Sequence, residues 1–157
     1  MSKVTPATRA LTAGGIVFTV HSYDYDPDAA SIGLQAASAL DEDPARVLKT
    51  LMAVVDGKPI CVVVPSDREV SMKKLAAACD GKSAQMMKPA EAERLTGFKV
   101  GGISPFGQRR AVKTVIEKSA LGHDRVYVNG GQRGLQVRLS PRDVRDALKA
   151  IAADVIA

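Results

Sequence analysis

The part of this 157-residue chain best suited to chemistry is a glycine-rich stretch, Val100-Gly101-Gly102-Ile103-Ser104-Pro105-Phe106-Gly107-Gln108. Two adjacent glycines ahead of a proline-fixed bend leave backbone N–H groups bare. Bare N–H groups can cradle an anion or a developing oxyanion without any charged side chain. The plainer reading is a tight turn, which the same residues make. In Arg46-Val47-Leu48-Lys49-Thr50-Leu51 a lysine opens an apolar run, and Thr50 adds a hydroxyl beside it. Taken alone, Lys49 is a surface lysine whose stem covers apolar neighbours while its ammonium stays wet. A third segment, Val126 to Leu135, carries Gly130, Gly131 and Gly134 around Gln132 and Arg133. It is either a glycine-rich β-turn or a second loop able to hold a phosphate. It lacks the lysine ending of a phosphate loop and the strand-helix context of a dinucleotide loop.

Several reaction types are hard to build from these residues. Ser104 has no G-x-S-x-G elbow, since position 106 is Phe, and neither His21 nor His123 can be paired with it by sequence. Ser104 is therefore expected to form a turn. Cys61 and Cys79 have no C-x-x-C spacing and only two histidines to join them, so both are read as buried, inert thiols, with no metal and no cofactor expected. Paired catalytic carboxylates and a nucleophilic dyad are also missing from the pattern.

Lys and Arg number 22 against 17 Asp and Glu, a net charge of +5 that suits a polyanionic partner without demanding one. Three Tyr, three Phe and no Trp are too few for a base-stacking platform, so any RNA contact should fall on phosphate and ribose. With 46% hydrophobic residues, the chain can bury one substantial core, which leads us to expect a single domain over residues 1–157. No signal pattern or membrane-length apolar run is visible, and a cytoplasmic location is expected.

These segments must be positioned by a mixed set of short elements. Thr5-Pro6 opens a first helix and Gly14-Gly15 stops it, followed by a strand from Ile16 to Tyr23 and an acidic turn over Asp24 to Asp28. Helical spacing recurs at Ser31 to Leu40 and, after an Asp43-Pro44 cap, at Asp43 to Leu48. That spacing puts Lys49 between a helix and a strand. Strands at Thr50 to Val55 and Pro59 to Val64 flank the hairpin signal Asp56-Gly57. Ser71 caps a helix to Cys79, Lys88-Pro89 starts another that ends near Thr96-Gly97, and strands follow at Ala111 to Glu117 and Arg125 to Asn129. Leu135, Val137 and Leu139 alternate with Gln136 and Arg138 as a half-buried strand does, and Ser140-Pro141 caps a last helix to about Val155. Without a regular βαβ alternation, the pattern predicts an α+β fold.

Read together and in order, with His21-Ser22-Tyr23 and Asp26-Pro27 near the start, Lys49-Thr50, Gly101 to Pro105 and Gly130 to Gly134 resemble the YbaK family of free-standing aminoacyl-tRNA deacylases. The relatives include the editing insertion of bacterial prolyl-tRNA synthetase. The resemblance runs from about Thr5 to the final helix, and it implies a curved mixed β-sheet surrounded by short helices. It also implies catalytic roles for Lys49 and Gly101, and a substrate pocket drawn from Tyr23, Ile32, Thr50, Gly102, Ile103, Ser104, Pro105, Gly130, Gly131, Arg133 and Gly134. Many relatives carry Ser-Gly-Gly-Lys-Arg-Gly, so Asn129 and Gln132 are departures, as is Ile32 where relatives often show Phe. Lys49-Thr50 without a following asparagine looks more like the cysteine branch. The implied function is trans-editing of Cys-tRNA(Pro) with the substrate supplying the nucleophile, and prolyl-tRNA synthetase is a candidate delivery partner. Alternatives are a deacylase for Ala-tRNA(Pro) or another small aminoacyl-tRNA, and a non-catalytic module that binds an aminoacyl or nucleotide ligand.

Overall fold

The computed structural model describes residues 4–29 and 31–157, except for the side chains of residues 32 and 33. Helix α1 (Pro6–Ala13) begins as expected: Thr5 Oγ1 accepts from the Thr8 N–H, Thr8 Oγ1 accepts from the Thr5 N–H, and Pro6 occupies the first turn. It is followed by β1 (Thr19–Ser22), α2 (Ile32–Ala39), β2 (Leu48–Val55), β3 (Lys58–Pro65), α3 (Met72–Ala78), β4 (Ala84–Met86) and α4 (Pro89–Thr96). The remaining elements are β5 (Lys113–Glu117), β6 (Val126–Asn129), β7 (Leu135–Leu139), α5 (Pro141–Leu148) and β8 (Ile151–Ala153). The fold is α+β.

Two sheets form. One is antiparallel in the order β1-β7-β6, and the other is mixed in the order β4-β2-β3-β5-β8. A parallel bridge between Val47 and Tyr127 joins β6 to the entry of β2, so the strands make one bent surface. Asp56 and Gly57 both have positive φ, at 49° and 81°, which matches the twist of the tight β2–β3 hairpin. Strand β3 is buried on both faces. Cys61 and Val63 pack into the main core with α1, Phe98, Ile103 and Phe106, while Ile60, Val62 and Val64 pack under Leu75 and Ala76 of α3. That explains the unbroken apolar run Ile-Cys-Val-Val-Val.

Four expectations are corrected. Asp43 to Leu48 holds only a 3-10 turn at Pro44–Arg46, because Leu48 already pairs with Pro65, and Lys49 therefore lies inside β2. The last helix stops at Leu148, where Lys149 turns left-handed at φ 51°. Ile151 to Ala153 then pair in parallel with Val115 to Glu117, a sheet edge overriding the helix propensity of the alanines. The first strand is confined to Thr19–Ser22, although Ile16 and Phe18 still pack on the core. Cys79 caps α3 and is only partly buried, while Cys61 is buried at 1% exposure.

Candidate active site

The hairpin leaves one strand edge open. Strand β4 pairs with β2 only from Ala53 to Val55, and the Met87 N–H reaches one step further to the Met52 carbonyl. Beside the unpaired edge at Leu48 to Leu51 lies a cavity of about 310 Å3, within the range of small-ligand sites. Its walls are β2, Met86 and Met87, Pro89 and Ala92 of α4, the glycine loop at Val100, Gly101 and Ile103, and Asn129 and Gln136 of the other sheet. Ser31, whose hydroxyl caps α2 at the Leu34 N–H, closes the rim.

The glycine loop is held by the second loop. Asn129 Nδ2 donates to the Gly101 carbonyl at 3.2 Å, while its Oδ1 accepts from the Gly131 and Gln132 N–H groups at 2.7 and 3.2 Å. Arg133 Nε donates to the Val100 carbonyl at 2.9 Å, and its guanidinium lies 5.5 Å from the centre of the Tyr25 ring. The loops are in backbone contact, since a Cβ on Gly102 would stand 2.9 Å from the Arg133 nitrogen. Gly101 itself has φ 91°, a left-handed conformation that suits glycine. Not every amide of the loop is bare: Gly102 N–H donates to the Lys99 carbonyl and Phe106 N–H to the Ser104 hydroxyl. Among the described residues, the amides of Gly101, Ile103 and Ser104 have no protein acceptor.

Of the residues expected in the pocket, Lys49, Thr50, Gly101 and Ile103 line the cavity. By strand alternation Thr50 shares the face of Leu48 and Met52, and Lys49 the face of Leu51 and Ala53. The lysine side chain is 19% exposed, and its Nζ lies 3.5 Å from Glu69 Oε1. A contact that long to an 86% exposed partner is worth about 0–1 kcal/mol, so an incoming anion can displace it.

The others, Ile32 apart, lie outside the cavity wall. Ser104 is fully buried, and its hydroxyl and carbonyl are occupied by the Phe106 N–H and Gln108 Nε2. Pro105 faces a separate crevice beside Gln108 and Leu148. Gly102, Gly130, Gly131, Arg133 and Gly134 act from behind: Gly130 N–H donates to the Leu135 carbonyl, the Gly130 carbonyl accepts from Thr5 Oγ1, and the Gly134 carbonyl accepts from the Tyr23 N–H. The Ile32 side chain lies outside the described residues. His21 stacks edge-on against Tyr127 at 5.3 Å, and burial, followed by Arg138, lowers its pKa. Burial pushes the Cys61 thiol up to about 12, which makes it inert.

The sequence did not point to Met52, Met86, Met87 or Gln136. Among the described residues, three buried side-chain oxygens lack a hydrogen-bond partner, namely Tyr23 Oη, Thr50 Oγ1 and Gln136 Oε1. Leaving such a group unpaired costs about 1–3 kcal/mol, and Thr50 and Gln136 both line the cavity, as they would if a ligand completes them. Burial raises the Tyr23 hydroxyl pKa, and the Gln136 amide offsets part of that shift from beyond good hydrogen-bond geometry. Among the described residues, no cluster of His, Cys, Asp or Glu could hold a metal ion, and no helix is long and apolar enough to cross a membrane.

The family profile of the aminoacyl-tRNA editing domain matches residues 26–147, which includes every wall of this cavity. The chain belongs to that family. Among curated relatives of the editing domain, "Putative Cys-tRNA(Pro)/Cys-tRNA(Cys) deacylase EbsC" of Enterococcus faecalis is 32% identical over 109 residues, 69% of this chain and 66% of that protein. Proline–tRNA ligase of Acidithiobacillus ferrooxidans is 30% identical over 88 residues, 56% of this chain and 15% of that enzyme. The match thus spans just under two thirds of the first relative and a small part of the second. A solved structure described as "a putative trans-editing enzyme for prolyl tRNA synthetase" superposes with a TM-score of 0.80 at 22% identity, covering 98% of this chain and 99% of that one, and shows the shared fold.

Proposed function

We propose that residues 1–157 form one deacylase domain that hydrolyses the ester of a mischarged aminoacyl-tRNA, with Cys-tRNA(Pro) as the preferred substrate. The observation that carries this reading is the cavity at the open edge of β2, which Lys49, Thr50 and the left-handed Gly101 all line in a chain of the editing family. The name of the Enterococcus faecalis relative supports the choice of substrate.

In this mechanism Lys49 holds an oxygen of the terminal ribose or phosphate and fixes the ester in register. The amides of Gly101 and Ile103 stabilise negative charge growing on the carbonyl oxygen. With Ser104 bonded within its turn and Cys61 held as a thiol, the nucleophile comes from the substrate, as the cysteine thiol or a ribose hydroxyl. When the thiol attacks, a C–S bond forms and the C–O bond to the ribose breaks. The departing ribose oxygen takes up the proton, and water then opens the cyclic thioester. Met52, Met86 and Met87 offer a soft apolar wall for a small side chain, and Thr50 and Gln136 supply acceptors for the α-ammonium.

The test is deacylation of purified Cys-, Ala- and Ser-tRNA(Pro). Fastest turnover of the cysteinyl ester is expected, and Ser-tRNA(Pro) should be much slower because a hydroxyl is the weaker nucleophile near neutral pH. Preference for the alanyl ester would exclude thiol assistance and replace the substrate assignment.

A further inference from the structure

The chain's positive charge is not spread evenly. Residues 82–113 hold seven Lys and Arg against Glu91 and Glu93, so this one segment carries the entire net charge of +5 while the rest of the chain is balanced. All seven cations are exposed and, among the described residues, none forms an ion pair. One of the two acids is also engaged, since Glu93 Oε2 accepts from the Val100 N–H at 2.8 Å.

The same segment builds one wall of the ester cavity. Pro89 and Ala92 of α4 line the cavity, and Glu91, Arg94 and Leu95 of that helix line a groove of about 470 Å3 on its other side. Met87 borders both. Cavity and groove are thus separated by one helix, about 10 Å across. Beyond Pro59 and Arg110 the groove runs into a second, of about 570 Å3, flanked by Lys58 and Lys113. Asp56 and Asp80 border that second groove, Asp56 turning its carboxylate onto the Lys82 and Ser83 N–H groups, and the two grooves together still present five Lys and Arg against three acids.

We propose that this face, running from Arg94 over Arg109 and Arg110 to Lys113, is the docking surface for the sugar-phosphate backbone of the RNA stem whose 3′ end enters the cavity. The inference rests on the deacylase reading for the identity of the polyanion, but it is tested separately from it. Exposed cations on the rim and few aromatic rings favour phosphate contacts over base reading, so recognition here is indifferent to nucleotide sequence.

The experiment compares the triple variant Arg94→Gln, Arg110→Gln, Lys113→Gln with a control triple, Lys73→Gln, Lys118→Gln, Arg142→Gln, taken from exposed positions elsewhere. Binding of uncharged tRNA is measured as log Kd against log salt, and hydrolysis is measured on an aminoacyl ester of adenosine that has no stem. The first triple should flatten the salt slope by about 2 to 3, one for each lost phosphate contact, with turnover of the small ester unchanged. The control triple should keep the wild-type slope. An unchanged slope in the first triple, or an equal drop in the control, overturns the docking surface. If the slope behaves as expected but the wild-type protein hydrolyses no aminoacyl ester, the surface stands and the deacylase reading falls.

Discussion

Gly101→Ala separates the catalytic role of the glycine loop from its contribution to stability. Position 101 has φ 91°, and an added Cβ would lie 2.8 Å from Tyr25 Oη and 3.4 Å from Arg133 Nε. Both neighbours are the far ends of long side chains. They can swing aside, so the main penalty is the left-handed backbone, about 1–2 kcal/mol for a residue with a Cβ. For a chain of this length that lowers Tm by about 2–8 °C. The catalytic loss should be much larger, because the backbone relaxes toward negative φ and carries its amide away from the ester. Removing one preorganised donor costs about 10²–10³ in turnover. Gly102→Ala is the contrasting variant: its Cβ would meet the backbone of Arg133 and Gln132 at 2.9 and 3.0 Å, so the two loops must part and stability should fall further. The assay is kcat/KM for Cys-tRNA(Pro) beside a thermal melt of each protein. A folded Gly101→Ala variant with near wild-type kcat/KM would refute the assignment of this amide.

Ser104→Ala and Cys61→Ala should both retain activity, with Ser104→Ala losing about 1 kcal/mol because the Phe106 N–H loses its acceptor. An aminoacyl adduct trapped on either side chain in the wild-type protein would contradict this. Lys49→Ala should melt within about 1 kcal/mol of wild type, since its ion pair with Glu69 is long and its partner exposed, while deacylation nearly vanishes. Near wild-type turnover in that variant would remove Lys49 from the site. Asp56 accepts from the Lys82 and Ser83 N–H groups, which hold its pKa below the usual carboxylate value. The stabilisation from that shift is complete above about pH 4 and is lost as pH falls through the lowered folded pKa. Urea midpoints measured from pH 6 down to 3 should therefore fall less steeply in Asp56→Asn, and identical slopes would rule out this anchor.

Most helix starts and the hairpin were legible because they depend on local chemistry. Thr5-Pro6, Ser71, Ser140-Pro141 and Asp56-Gly57 all act where they stand. What depended on distant pairing was not legible. Ile151 reads as helix until β5 offers it an edge, and Leu48 reads as helix until Pro65 pairs with it. The site divides along the same line. The glycine loop and Lys49-Thr50 were visible as residue types, but Gln136 looked like the outward residue of a half-buried strand. It does point away from the main core, yet only 4% of it is exposed, because strand alternation fixes a face and cannot say what covers it. Asn129, read as a departure from relatives, binds the two glycine loops together. Arg133, which the resemblance places in the substrate pocket, likewise braces Val100.

The most direct test of the account is the rate at which purified protein hydrolyses Cys-tRNA(Pro), compared with the uncatalysed ester and with Lys49→Ala under the same conditions. The account predicts rapid, catalytic release of free tRNA by the wild-type protein and a rate near background for the variant. Wild-type hydrolysis no faster than the uncatalysed reaction for the cysteinyl, alanyl and seryl esters, in a protein that still binds tRNA, would contradict it.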